Sequence, residues 1–78
     1  MNKIEFPCEY FLKLEGQEFL LGRLSINKMN GSFWVEIDIV TKDSKKIYAH
    51  VGNLYNQTDL DEAITNSVQK LSGFVSKK

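Results

Sequence analysis

The sequence predicts an α+β fold, a four-stranded antiparallel β-meander with one C-terminal α-helix packed on one face (ββββα). Three observations predict it. Residues 4–14 alternate apolar and polar side chains, an Asn30-Gly31 dipeptide separates two further alternating runs, and residues 60–75 carry an apolar stripe at helical spacing.

The first strand reads over 4–14. Ile4, Phe6, Cys8, Tyr10, Leu12 and Leu14 fall on one face, and Glu5, Pro7, Glu9, Phe11 and Lys13 on the other. Period two of this length belongs to a strand. Pro7 has no N–H for a ladder, so the strand is expected at a sheet edge. Glu15-Gly16-Gln17 reads as a three-residue hairpin loop that sets Leu14 against Glu18, Leu12 against Leu20 and Cys8 against Leu24. A second strand over 18–26 then shares its even-numbered face with the first.

Asn30-Gly31 is the strongest turn signal, because a type I′ hairpin needs positive φ at both central residues. It places Met29 opposite Ser32. Ile26 then meets Val35, Leu24 meets Ile37 and Gly22 meets Ile39, while Arg23 meets Asp38 and Leu21 meets Val40 on the outer side. Turn chemistry and alternation agree here. After the polar turn Lys42-Asp43-Ser44-Lys45, a fourth strand over 46–51 points Ile47, Ala49 and Val51 inward and Tyr48 and His50 outward. Residues 52–57 read as a connector.

Thr58-Asp59-Leu60-Asp61 has the form of a capping box with Thr58 as its first residue, and acids crowd the first turn, where the helix dipole favours them. Leu60, Ile64, Val68, Leu71 and Val75 form one stripe. Gly73 fits the end of the helix or a loosened last turn, and Lys77 and Lys78 complement its C-terminus. Residues 57–63, Gln-Thr-Asp-Leu-Asp-Glu-Ala, resemble the sheet-to-helix junction of HicB-type antitoxin domains. The Gly-Cys turn that precedes the junction in that family is missing here, and no residue role is carried over.

With 78 residues the chain is one domain, 1–78, near the lower limit for a self-sufficient core. Apolar residues make up 42% and charged residues 26%, an ordinary globular balance with enough apolar side chains to argue against disorder. Ten basic and ten acidic residues cancel, which disfavours a nucleic-acid partner. There is no long apolar run for a membrane span and no signal-peptide core after Met1-Asn2-Lys3. One cysteine, Cys8, excludes an internal disulfide, and with His50 it makes too few soft donors for a structural zinc site. A cytoplasmic setting is the expectation, without cofactor.

Catalysis finds little support. His50 could act as a general base helped by Glu36 or Asp38 on the adjacent strand, but with no second titratable partner at a diagnostic spacing it reads far more readily as a polar residue on an outward face. Cys8 alternates with core positions and reads as a small buried hydrophobe. Glu5 with Glu9, and Glu36 with Asp38, have the spacing of any solvated strand. The chain is therefore read as a non-enzyme.

The informative feature is the sheet face away from the helix. Phe11, Phe19, Leu21, Trp34, Val40 and Tyr48 are assigned to it, interspersed with Lys13, Arg23, Glu36, Asp38 and His50. Interface cores favour aromatics and Arg. The expected function is a small non-enzymatic interaction module, an accessory or inhibitory factor of the kind phages and mobile elements carry. It would bind a protein partner, or itself as a homodimer, through Phe11, Phe19, Leu21, Arg23, Trp34, Tyr48 and His50. The alternative is a nucleic-acid accessory protein that stacks bases on the same aromatics.

Overall fold

The computed structural model describes residues 5–76. Ile4 at the start of the alternating run, and Lys77 and Lys78 after the helix, lie outside these residues. The elements are β1 (Cys8–Lys13), β2 (Leu20–Met29), β3 (Ser32–Thr41), β4 (Ile47–Gln57) and α1 (Leu60–Ser76). The strands form one antiparallel sheet in the order β1-β2-β3-β4. The ββββα architecture is therefore as the sequence predicts, with β1 and β4 at the edges.

The β2–β3 hairpin has the expected register throughout, from Met29↔Ser32 to Leu21↔Val40. Asn30 (φ 53°) and Gly31 (φ 81°) both take the left-handed conformation that the turn requires. Leu24, Ile26, Val35 and Ile37 sit opposite one another beneath the helix, each at most 2% exposed. Burying each such side chain contributes about 1.5–3 kcal/mol.

The β1–β2 pairing differs from expectation by two residues. Tyr10 faces Leu24 and Leu12 faces Gly22. The connection is longer than a three-residue loop. Gln17 N–H closes a turn on the Leu14 carbonyl at 3.1 Å, and Glu18 and Phe19 extend it before β2 begins. A shift of two preserves which side chains share a face, so Cys8, Tyr10, Leu12 and Leu14 still pack toward the core.

β4 departs further. Residues 52–57, expected as a connector, continue the strand to Gln57. Its pairing with β3 shifts at three places, including between Ile39↔Ala49 and Val40↔Ile47. A bulge adds a residue and so reverses the facing of the residues beyond it. Ile47, expected inward, pairs beside Val40 on the open face and is 57% exposed. Tyr48, expected on that face, instead lines a hollow with Leu14, Leu20, Ile39, Phe74 and Val75 on the helix side.

Asp59, not Thr58, caps α1: its Oδ2 accepts the N–H of Glu62 at 3.2 Å, and its carbonyl accepts the first helical bond, from Ala63. The buried line of the helix is Ala63, Ser67 and Leu71, flanked by half-buried Leu60, Ile64 and Val75, while Val68 is 36% exposed. The stripe is thus rotated toward small residues. Ser67 stays satisfied by donating its hydroxyl to the Ala63 carbonyl at 2.6 Å. Gly73 lies within the helix rather than ending it.

Gly22 explains how closely α1 approaches. A Cβ there would overlap Leu71 Cδ2. Gly22→Ala is expected to cost about 1–3 kcal/mol by overpacking, read from urea unfolding. Leu71→Ala in the same chain should recover part of that loss, and strict additivity of the two changes would show that no such contact governs the packing.

Candidate functional site

The ladder register lays out the open face as rows that cross the strands. At one end Lys13, Leu21, Val40 and Ile47 stand side by side. Next come Phe11, Arg23, Asp38 and His50, and then Glu9, Ser25, Glu36 and Asn53. Trp34, opposite Asn27, marks the far end, where its ring meets Tyr55 edge to face with centroids 5.1 Å apart. That geometry is a favoured aromatic pairing.

The middle of the face is a charged network. Arg23 Nη2 donates to Asp38 Oδ2 at 2.9 Å, and His50 Nδ1 lies 2.7 Å from Asp38 Oδ1. Glu9 flanks Arg23 at 3.9 Å and Glu36 flanks His50 Nδ1 at 3.9 Å. Asn53 Nδ2 reaches His50 Nε2 at 3.4 Å. One tautomer serves both contacts, with Nδ1–H donating to Asp38 and Nε2 accepting from Asn53.

Asp38 is fully buried although it lies on the side away from the helix, and so is Val40. A buried carboxylate demands charge-assisted partners. Arg23, whose side chain is only 17% exposed, supplies one and His50 the other. Arg23 Nε is buried and has no hydrogen-bond partner among the described residues. An orphaned donor of this kind costs about 1–3 kcal/mol.

Of the residues expected to bind a partner, Phe11, Leu21, Arg23, Trp34 and His50 share the open face. Phe11 stays 41% exposed with the Lys45 ammonium 5.6 Å from its ring centre. Two do not belong to the group. Tyr48 turns to the helix side because of the β4 bulge next to it. Phe19 precedes β2, in the β1–β2 connection, and is 78% exposed there. The sequence reading missed Tyr55 and Asn53, because it ended β4 at residue 51. Continued alternation through Asn53, Leu54 and Tyr55 was the signal that could have found them. The Arg23–Asp38 pairing was expected, but not the complete burial of Asp38. Cys8 is a free thiol, half-buried against the core.

The fold and face define a small one-layer sheet with a single covering helix and an ordered polar network on its open side. No protein family, curated protein or solved structure matches the chain. No helix of the described residues is long and apolar enough to cross a membrane.

Breaking one side of the buried pair strands the other. Arg23→Met is expected to destabilise the domain by about 3–5 kcal/mol, whereas Arg23→Met with Asp38→Leu should cost far less. Chemical denaturation of the three proteins checks this, and equal losses in the single and double variants would show that Asp38 is not an uncompensated charge.

Proposed function

We propose that the chain is a non-enzymatic interaction module that binds protein through its open sheet face, and that a second copy is the partner this face fits. The observation that carries the reading is the Trp34–Tyr55 pair, 38% and 53% exposed, at the edge of a polar network. Rigid aromatics bordered by ordered polar groups have the character of binding hot spots.

Charge argues for self-association. Lys13 and Lys45 lie toward one end of the face, and Glu9 and Glu36, each half exposed, toward the other. A two-fold axis across the strands lays the lysine end of one copy over the glutamate end of its mate, as an isologous contact requires. The same carboxylates beside the aromatics repel phosphates, so a nucleic-acid role is the weaker reading. The Asp38 carboxylate spends both oxygens on Arg23 and His50, which fits a structural network better than an acid–base one. The free thiol of Cys8 suits a reducing compartment such as the cytoplasm.

Sedimentation equilibrium between about 1 μM and 1 mM tests the reading. A dimer is expected, and Trp34→Ala should weaken it by about 30-fold or more, a hot-spot loss, while changing stability by no more than about 1 kcal/mol. A monomer at every concentration, or a Trp34→Ala chain that simply unfolds, overturns it. Salt-sensitive binding to a single-stranded oligonucleotide would favour the nucleic-acid role instead.

A further inference from the structure

Glu36, Asp38 and His50 each offer one ligand atom, and the three atoms lie within 4.8 Å of one another. They come from two adjacent strands, with Asp38 and His50 directly paired across the ladder and Glu36 two residues along β3 on the same face. We propose that these residues form a binding site for a divalent cation of the zinc, cobalt or nickel class, on the open face of the sheet.

The distances fit one ion. Ligands about 2.0–2.2 Å from a tetrahedral metal stand about 3.3 Å from each other. The separations from His50 Nδ1 are 2.7 Å to Asp38 Oδ1 and 3.9 Å to Glu36 Oε2, which bracket that value. The carboxylate-to-carboxylate separation is bounded at 4.8 Å, so Glu36 and His50 have to draw in around Asp38 to share one ion. Glu36 and His50 have the freedom to do so, with side chains 50% and 48% exposed.

The donor set selects the metal. One imidazole nitrogen and two carboxylate oxygens suit a borderline d-block ion, whereas magnesium and calcium favour all-oxygen sites. Three protein ligands on an exposed face leave a position for water.

The surrounding groups prepare the ligands. Arg23 holds Asp38 Oδ2, so Oδ1 is the oxygen aimed at His50. With an ion on Nδ1 the imidazole proton sits on Nε2, and that N–H donates to the side-chain oxygen of Asn53, 3.4 Å away, once the amide turns its oxygen inward. No proton leaves the site in that exchange. Arg23 opposes the incoming charge, so binding is weaker than at a structural zinc site. The proposal does not depend on dimerisation.

The test titrates the full chain with cobalt chloride and with zinc chloride. Cobalt should bind one per chain and give visible d–d absorption without the thiolate charge-transfer band that Cys8 ligation would produce, and zinc should displace it. Glu36→Gln, a half-exposed change that leaves the fold intact, should weaken binding more than about tenfold, the scale on which even outer-shell changes act. His50→Ala should do the same. Zinc should raise the melting temperature of the parent chain and not of Glu36→Gln. The proposal is overturned if no saturable binding occurs by about 1 mM, if Glu36→Gln and His50→Ala bind as tightly as the parent, or if a thiolate band shows the ion on Cys8.

Discussion

The register of the β2–β3 hairpin governs everything else in this protein. Positive φ at Asn30 and Gly31 closes a two-residue turn, and that turn sets Met29 against Ser32. Side chains alternate with period two, so this one pairing decides the facing of every residue in both strands at once. It gathers Leu24, Ile26, Val35 and Ile37 under the helix. It also sets Arg23 beside Asp38 on the other side. A slip of one residue would exchange the core with the charged network. Neither face could tolerate that, because it would expose the apolar set and bury unpaired charge.

This dependence explains which features were legible in the sequence. The hairpin, the edge position of β1 and the single helix could all be read, since each rests on periodicity or on turn chemistry. The misplaced β1–β2 register did no harm, because an error of two keeps every side chain on its own face. The β4 bulges were different. A bulge needs no distinctive residue, and this one falls at Tyr48, so Ala49, His50 and Val51 keep their expected facing while the residues at and before the bulge do not. Tyr48 and Ile47 were therefore exchanged between faces. Gly52-Asn53 has the composition of a connector, which ends the expected β4 at residue 51 and leaves out Tyr55 and Asn53, two of the residues that shape the open face.

The helix shows a second kind of competition. Hydropathy alone runs the buried stripe through Leu60, Ile64, Val68, Leu71 and Val75. Packing against the sheet keeps Leu71 buried but draws in Ala63 and Ser67 and leaves Val68 exposed. Close approach is the cause. Gly22 leaves room for the Leu71 side chain, and Gly52 leaves room for the Lys70 stem. A sheet position without a Cβ and a helix face of small residues bring the two layers together, and dispersion contacts repay the lost apolar area. Ser67 tolerates full burial only because its hydroxyl is bound within its own helix.

A sheet with one helix has to manage its other face. Apolar cover would invite aggregation, and plain polar residues would leave the strands thinly supported. Here the solution is a band of charges across the sheet, with Asp38 at its centre. Burying that carboxylate costs several kcal/mol, and the attraction of Arg23 and His50 offsets the cost without clear surplus. Stability therefore does not explain the arrangement. What the network does supply is fixed geometry. Arg23 locks one oxygen of Asp38, which orients His50, which in turn brings Nδ1 within 3.9 Å of Glu36. Meanwhile Trp34 and Tyr55 pair edge to face at the margin. The network thus holds its side chains in one orientation at some cost in stability, and groups ordered in advance lose less entropy than mobile ones on meeting a ligand.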